Sequence, residues 1–596
     1  MRVLSFLLFS LTFSISANAS VLQILHTNDL HGAMKTSGAP KSGESEFGGW
    51  AQIKAKMDQL TLDAQGKGIE TIRLDAGDFL EGTANYFPDD ATHVFSAFQD
   101  FHFDAVTLGN HDWMMGAHDM DALYGAHPSP FPFLSANLRI HPHLMSLRNQ
   151  VRPHAQIIRG GVKVGILGLS THESLYSWIP MVNSHRNDFL ILNYQDQGSS
   201  LGIANQEIEV LSQENDLVIA LTHIGLGEDR LLAQHSKNLD LVIGGHSHTT
   251  LESLALVQNQ VGDEIPVVQS GFNGRYIGRI FVEVEPGKKA RVLSYELVPV
   301  LMDGVKDDRQ IAYLRDAESA LDRAYGPHLR ERIGKSEVRL VPGSQGSSAY
   351  SEFVTDALRE STGAEISLDV GEFHGNTIQP AGEVNRLTLM EMYPRKFEKE
   401  RNQGLWVYTA ETPGVAIQVG LEYALRFGIY LSLGGVSFDL GKLSDLEFES
   451  LRQQYAGRPE QISLTPYYPK NIKVLGQPIL KWRWYSIATT EALIRGAFGI
   501  THLSALVFHH AYSTGHTVWD ALSDHLRKIG VIRALGPSDR FNSLEIGQDD
   551  EERIHNQEIQ DHYSEKEFRV APWVRENPAT REMINEGISK IIGEMK

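Results

Sequence analysis

Residues 25–34 read LHTNDLHGAM. The first of them, Leu25, is the last residue of an apolar run, Val21–Leu25, which predicts a short buried strand. Asp29 and His31 stand two positions apart just after this run. In an extended chain, residues i and i+2 point to the same side, so a carboxylate and an imidazole can face one metal ion. A D-x-H pair also occurs by chance in many chains. The pair becomes informative only because similar groups recur downstream.

Further apolar runs share the same character, being short, often β-branched and bounded by Gly, Asp or Asn. They are Ile72–Leu74, Ala105–Leu108, Val164–Leu169, Leu217–Leu221, Leu241–Ile243 and Val267–Val268. Between them, Trp50–Leu60 and Gly202–Leu211 have the spacing of amphipathic helices. This alternation predicts an α/β layered domain whose strands are buried on both faces.

Potential metal ligands follow several of these predicted strands at the point where each one ends. They are Asp29, His31, Asp78, Asn110, His111, Asp112, His223, His246 and His248. Because sites in open α/β sheets gather outside the carboxyl ends of the strands, we expect these groups to converge. Carboxylate, amide and imidazole ligands together suit a pair of divalent cations, with Mn, Zn, Mg and Fe all compatible. Any one of these histidines, in a chain with 25, could equally be an ordinary core or surface residue.

Composition narrows the class of protein. A chain of 596 residues is too long for one core, so two or more domains are expected. The net charge of −20 argues against binding of nucleic-acid polymers, which requires a basic surface. There are no cysteines, which excludes disulfides and thiolate ligands, so metals must be bound by His, Asp, Glu or Asn.

Residues 1–19 have the pattern of a secretory signal peptide. Arg2 precedes the apolar stretch Val3–Ile15, and Ala17–Ala19 forms an A-x-A cleavage site. The alternative, an uncleaved membrane anchor, fits less well because the apolar run is short and interrupted by serines. We therefore expect a periplasmic or secreted protein with no transmembrane segment after cleavage.

The series D-x-H, G-D, G-N-H-D, H and G-G-H-S-H resembles the calcineurin-like metallophosphoesterases. Flanking segments narrow the resemblance to the two-domain 5′-nucleotidase family. They are ILHTNDLHG, Gly48–Ala51, Leu134–Leu138, Gly161–Leu169 and Val267–Ile280. The resemblance implies a four-layer α/β/β/α sandwich joined by a helix to a second α/β domain.

The resemblance also implies roles for the ligand residues. One metal would be bound by Asp29, His31 and His248, the other by Asn110, His223 and His246, with Asp78 bridging the two. A metal-bridging hydroxide would attack phosphorus in line while His111 assists the departing alkoxide.

One departure concerns His111. The family pattern places a second acid after G-N-H-E/D that pairs with this histidine, but here GNHDWMMG has Met114 in that position. Asp112 can compensate, although it is the structural acid of the family pattern, so His111 and Asp112 are the candidate catalytic residues.

The resemblance divides the chain into successive segments. They are a signal peptide at 1–19, a metallophosphoesterase domain at 20–302, a linker helix at 303–332, a divergent substrate domain at 333–547 and an acidic tail at 548–596. The stripe Ile311, Leu314, Ala317, Leu321 and Ala324 predicts an amphipathic helix. Such a helix can link two domains or simply pack on the first.

Substrate recognition is where the family pattern fails. Asn376 stands in place of the arginine of G-G-x-R, Leu433–Leu440 lacks a second arginine, and Thr490–Ile500 lacks the aromatic that stacks on a base. Arginine forks grip phosphate and aromatic faces stack on bases, so nucleotide selectivity is predicted to be weakened or redirected. A replacement pocket could be lined by Phe373, His374, Asn376 and Phe498, which are equally plausible as structural residues.

The expected function is therefore hydrolysis of a small phosphomonoester, nucleotide or related, by an exported enzyme with two divalent metals. A first alternative keeps the metal centre but acts as a thiosulfohydrolase of periplasmic sulfur oxidation. A second is a non-catalytic binding protein on the same scaffold.

Overall fold

The computed structural model describes residues 19–36, 46–113, 116–171, 189–191, 200–342, 348–375, 377–396, 403–427, 431–454, 464–497, 504 and 507–533. The predictions for residues 1–18, Met114, Asn376, Phe498 and the acidic tail lie outside these residues.

Two facing sheets form the centre of the first domain. The strands of this domain are β1 Ser20–Thr27, β2 Glu70–Asp75, β3 Ala105–Thr107, β4 Phe133–Leu134, β5 Leu138–Ile140, β6 Val151–Arg152, β7 His154–Arg159, β8 Val162–Ser170, β9 Phe189–Ile191, β10 Leu217–His223, β11 Leu241–Ile243, β12 Ala255–Gln258, β13 Glu264–Val268, β14 Tyr276–Val284 and β15 Arg291–Pro299. One sheet has the order β15-β14-β1-β2-β3-β4-β6 and the other β12-β13-β11-β10-β8-β7. Every apolar run predicted to be a strand is one.

Helices cover the outer faces of the two sheets. They are α1 Trp50–Gln65, α2 Thr92–Gln99, α3 Ala117–Ala126, α4 Met145–Gln150, α5 Ser200–Glu214 and α6 Leu226–His235. Alternation along β1 explains the layers, since Leu22 and Ile24 enter the core between the sheets while Leu25 faces the outer core of α1. The predicted α/β/β/α sandwich is confirmed.

A long helix, α7 Asp308–Tyr325, leads from the first domain to the second. It packs on α1 and α2, with Ala317 and Leu321 of the predicted stripe buried. The Gln310 side chain adds a hydrogen bond from Nε2 to the backbone carbonyl of Ala97 (2.8 Å). The helix therefore packs on the first domain, and its role as a linker between the two domains stays a prediction.

The second domain is also α/β. Its strands are β16 Arg332–Ser336, β17 Ile366–Val370, β18 Gly382–Asn385, β19 Trp406–Pro413, β20 Leu431–Gly434, β21 Val436–Lys442, β22 Tyr467–Val474, β23 Gln477–Pro478, β24 Trp484–Thr490, β25 His509–Thr517 and β26 Val531–Ile532. Its helices are α8 Ala349–Thr362, α9 Arg386–Met392, α10 Gly414–Phe427, α11 Asp445–Gln454, α12 Glu491–Ile494 and α13 Val518–Ile529. A five-stranded sheet, β20-β17-β24-β19-β25, forms its centre.

The apolar core continues from the outer face of the first sheet into the second domain. Phe87, which follows the metal-ligand loop after β2, lies 5.2 Å from Trp519 of α13 between ring centroids. The Trp519 indole also donates a hydrogen bond to the carbonyl of Tyr393 (2.8 Å), so this contact joins the buried end of α9. Within the residues that the structure describes, no helix combines the length and the apolar character needed to cross a membrane.

Candidate metal centre and active site

The turns that follow the central strands have an unusual backbone. Left-handed conformations, with φ between 48° and 76°, occur at Asp29, His31, Asp78, His246 and His248. Such conformations cost roughly 1–3 kcal/mol each for non-glycine residues and concentrate at functional sites. Five of the seven predicted metal ligands thus have this backbone, although nine other non-glycine residues of the described structure have it too.

One group of donor atoms forms around Asp29. Its Oδ1 lies 3.4 Å from His248 Nε2 and 3.9 Å from His31 Nε2. The two imidazole nitrogens, His31 Nε2 and His248 Nε2, are 2.9 Å apart. The donor atoms of these three residues thus lie close together and could hold one metal ion.

A second group forms around Asn110. Its amide oxygen lies 2.8 Å from His246 Nδ1 and 3.1 Å from His223 Nε2. Asp78 stands between the two groups, with Oδ2 3.0 Å from His223 Nε2 and 4.0 Å from His31 Nε2. This is the place a bridging carboxylate would occupy.

Hydrogen bonds fix which ring nitrogens face the centre. His31 Nδ1 donates to the carbonyl of Glu81 (2.9 Å), and His223 Nδ1 donates to the carbonyl of Ala76 (2.6 Å). A carbonyl only accepts, so the Nε2 lone pair of each ring is directed into the site. Ligands that share one cation lie roughly 3–3.4 Å from one another, close to several of the observed separations. The donor set therefore fits divalent metal ions.

Close backbone approach requires glycine at two points. A Cβ on Gly109 would lie 2.1 Å from Asp78 Oδ1, and one on Gly245 would lie 2.8 Å from His223 Nδ1. Any side chain at either position would displace a ligand. Steric exclusion thus explains why glycine stands at these positions of the G-N-H-D and G-G-H-S-H motifs.

Asn28 supports the first group and was not singled out in the sequence. Its amide donates to Asp29 Oδ2 (2.6 Å), while its oxygen accepts hydrogen bonds from the backbone and hydroxyl of Ser270 (2.8 and 2.7 Å). The backbone amide of His246 also donates to Asp29 Oδ2 (3.0 Å). These contacts hold the Asp29 carboxylate in one orientation, as outer-shell partners of metal ligands do.

Buried charges shape the electrostatics of the centre. Burial raises the pKa of Asp78, but the charges of His223 and His111 outweigh it and hold that pKa well below its usual value. Burial lowers the pKa of His223, yet Asp78 and Asp29 raise it to about 10. The carboxylates therefore create a strongly negative environment, which a cation would neutralise.

His111 has a carboxylate partner that sequence reasoning missed. Its Nδ1 contacts Oε2 of Glu81, three positions after Asp78. Glu81 in turn accepts from Arg395 of the second domain, whose Nη1 lies 2.6 and 2.8 Å from the two carboxylate oxygens. Burial raises the pKa of Glu81, but Arg395 and His111 lower it to about 2. Burial lowers the pKa of His111, but Asp78 and Glu81 hold it above its usual value.

Asp112 makes a different set of contacts. Its carboxylate accepts hydrogen bonds from the backbone amides of Asp78 (3.0 Å), Phe79 (3.0 Å), Leu80 (3.2 Å) and Gly109 (2.8 Å). Burial, with the nearby charge of Asp78, raises its pKa to about 7. The Asp112 carboxylate thus fixes the turn at Asp78. The sequence offered Asp112 as the acid that compensates for Met114, whereas in the structure the carboxylate on the His111 ring is that of Glu81.

The two described residues of the predicted substrate pocket are buried. Phe373 is fully enclosed and packs near Tyr393, with ring centroids 6.4 Å apart. The ring of His374 has its Nε2 3.1 Å from Asp369 Oδ2 and is 3% exposed. These positions favour the structural alternative for both residues.

The calcineurin-like phosphoesterase family matches residues 22–250, the region that carries every ligand above. This domain is a calcineurin-like phosphoesterase domain. The predicted resemblance to the two-domain 5′-nucleotidases is also confirmed, since the 5′-nucleotidase of Diplobatis ommata is 25% identical over 86% of this chain and 88% of its own length.

Other curated relatives match only part of the chain. The snake venom 5′-nucleotidase of Crotalus adamanteus is 30% identical over 51% of this chain, and the match covers 52% of the relative. The chain thus spans about half the length of several curated relatives that it matches.

Solved structures show the same overall fold. The 5′-nucleotidase precursor of Thermus thermophilus superimposes with a TM-score of 0.69 at 22% identity, covering 88% of this chain and 99% of that chain. The sulfate thiohydrolase SoxB of the same species gives a TM-score of 0.67 at 16% identity, covering 88% and 97%. At these identities the likeness concerns the fold alone, so it does not discriminate between the two activities.

Proposed function

We propose that this chain is an exported phosphoesterase that hydrolyses a small phosphomonoester, nucleotide or related, with two divalent metal ions. The observation that carries the proposal is the convergence of Asp29, His31 and His248 beside Asn110, His223 and His246, with Asp78 between them. The family of the domain supports the reaction class, and the A-x-A pattern of residues 1–19 supports export.

The ligand residues would hold the cations in two adjacent groups. When bound, such cations neutralise phosphoryl charge and lower the pKa of a water molecule, which supplies the nucleophile. Other residues of the chain orient the ligand carboxylates. Asp112 accepts a hydrogen bond from the backbone amide of Asp78, and the Asn28 side chain and the His246 backbone amide donate to Asp29.

His111 would provide the proton for the leaving group. Its backbone amide donates to Asp78 Oδ1 (2.7 Å), which anchors the residue beside the ligand groups. Because Nδ1 faces Glu81, Nε2 is the ring atom available to a substrate. A proton donor placed in this way commonly contributes about 10²–10⁴-fold to the rate.

The proposed substrate range follows from the absence of the family's phosphate-binding and base-stacking motifs in the second half of the sequence. The Arg395 guanidinium is a buried cation that reaches the His111 partner Glu81, but both carboxylate oxygens of Glu81 already bind it. It therefore does not replace the phosphate-binding arginine that the sequence lacks, which supports a substrate range broader than nucleotides.

Metal analysis followed by a substrate panel tests the proposed function. The purified protein should bind about two divalent ions per chain and hydrolyse p-nitrophenyl phosphate with Mn²⁺ or Zn²⁺, as expected for a paired centre. The panel then compares nucleoside 5′-monophosphates, sugar phosphates, cyclic phosphodiesters and a protein bearing a thiosulfonated cysteine.

Matched aspartate variants supply the control. Asp78→Asn should lose about 100-fold or more in kcat, the scale expected when a catalytic centre is misplaced. Asp240→Asn changes a half-buried aspartate that directly precedes β11, at the opposite end of that strand from the His246 turn, and should retain activity. Tight metal binding without turnover of any phosphoester would favour the binding-protein alternative, and turnover of the thiosulfonate alone would favour the thiosulfohydrolase.

A further inference from the structure

We propose that Glu81, held by Arg395 from the second domain, is the positioning residue that aims the His111 imidazole at the leaving oxygen of the substrate. Through this contact the enzyme would act efficiently on phosphate esters of alcohols, whose leaving groups need a proton. The proposal deepens the proposed function and rests on it.

The geometry singles out Glu81 among the acids near His111. The Asp112 carboxylate is occupied by backbone amides, and the Asp78 side chain stands among the ligand groups. Among the residues that the structure describes, Glu81 is the acid that places a carboxylate oxygen on Nδ1, so the ring can rotate little and Nε2 points away from Glu81. With Met114 in the position of the family acid, the carboxylate reaches the same ring from a different loop.

Arg395 determines where the Glu81 carboxylate lies. Both side chains are almost fully buried, at 4% exposure for Arg395 and 3% for Glu81, so the pair is shielded from solvent. The guanidinium also donates from Nη2 to the carbonyl of His374 (3.4 Å), and the backbone amide of Arg395 donates to the carbonyl of Tyr393 (2.8 Å). Arg395 is therefore anchored in the second domain while it orients a residue of the first.

A second contact crosses the same interface without touching His111. Glu391, at the end of α9, accepts a hydrogen bond from the backbone amide of Ala84 (3.3 Å) through Oε2. Like Glu81 it is a buried glutamate at the domain interface, 8% exposed. It therefore serves as the matched control for changes at Glu81.

The chemical consequence depends on the leaving group. A water oxygen forms a bond to phosphorus, the P–O bond to the alcohol breaks, and the Nε2 proton of His111 passes to the departing oxygen. The proton that the water releases restores His111, so the products are an alcohol and inorganic phosphate. A p-nitrophenolate ion departs without a proton, whereas an alkoxide is a far poorer leaving group, so only alcohol esters require an aligned imidazole.

The test compares kcat for adenosine 5′-monophosphate with kcat for p-nitrophenyl phosphate in the full chain. Glu81→Gln should lower the ratio of the two kcat values by at least about 30-fold, within the usual range for general acid catalysis. Bound metal, measured by mass spectrometry, should remain at the wild-type level. Glu391→Gln should leave the ratio within about threefold of wild type, since Glu391 does not touch the acid.

Glu81→Gln removes the carboxylate partner of the buried Arg395 charge, so this variant could fail to fold. A second variant covers that case. The double variant Glu81→Gln/Arg395→Met removes both buried charges, and the same fall in the ratio is expected. An unchanged ratio in a metal-loaded variant, or an equal fall in Glu391→Gln, overturns the role of Glu81. A metal-loaded wild type that hydrolyses neither ester overturns the proposed function itself, and this proposal with it.

Discussion

Replacement of Arg395 by methionine tests the buried ion pair that joins the two domains. Methionine keeps most of the apolar volume of the arginine stem but removes the charge. The Glu81 carboxylate would then remain buried with His111 as its nearest cationic partner. The variant thus isolates what the guanidinium contributes to stability.

The expected loss follows from burial. Removing one member of a buried pair costs about 3–5 kcal/mol, because the remaining charge is left without compensation. His111 can share the charge of Glu81, so we expect the lower end, about 3 kcal/mol. For a domain of 150–250 residues this corresponds to a fall in Tm of roughly 6–12 °C.

A double-mutant cycle measures the pair directly. Thermal and urea unfolding are compared for wild type, Arg395→Met, Glu81→Gln and the double variant. Since the double variant buries neither charge, it should be more stable than Arg395→Met, with a coupling free energy of about 1.5 kcal/mol or more. Arg386→Met provides a matched control, because Arg386 pairs with the half-exposed Asp520 at 2.7 Å and should cost at most about 1 kcal/mol.

Additive effects of the two substitutions, with a coupling below about 0.5 kcal/mol, would refute the reasoning. So would a loss in Arg395→Met no larger than that in Arg386→Met. Either result would mean that the second domain does not hold Glu81 through this contact.

Further predictions concern the metal centre and pH. Gly109→Ala should lower metal content and cut kcat about 100-fold, because the new methyl group would lie 2.1 Å from Asp78 Oδ1. Gly202→Ala, with open space around it, should change neither. Burial raises the pKa of Asp240 to about 6, so the folded state holds a proton that the unfolded state releases. The contribution of Asp240 to the free energy of unfolding should therefore fall as the pH rises from about 4 to 6. Asp240→Asn should reduce the fall measured by urea unfolding by roughly 2 kcal/mol. Met114→Asp introduced into Glu81→Gln should restore about tenfold or more of the lost kcat on adenosine 5′-monophosphate. Chelation should lower Tm by several degrees, reversibly on adding Mn²⁺, because the facing carboxylates are then left uncompensated.

Much of the fold followed from local pattern. Short β-branched runs bounded by Gly, Asp and Asn became the central strands, because such segments can bury both faces only inside a layered sheet. The helix between the domains could also be predicted, because its apolar residues repeat at helical spacing. Domain boundaries at 302, 332 and 547 remain predictions, as contacts across α7 join the two domains in one continuous core.

The candidate ligands could also be named in advance, because each follows a strand whose carboxyl end must meet the others at one edge. What the spacing could not give is the orientation of each donor. That depends on left-handed turns, on the carbonyls of Ala76 and Glu81, and on the Asn28 amide. These are contacts between segments distant in the chain.

The sequence by itself determined the layered fold, the residue types of the metal centre and the loss of the family acid at Met114. Only the tertiary structure decided what stands in for that acid. Glu81 and Arg395 are 314 positions apart, and although Glu81 follows Asp78 of the G-D motif by three positions, no spacing reveals that these two side chains pair. They pair because the second domain packs against the first and shields both charges from water. A buried charge without a partner would carry the full desolvation cost.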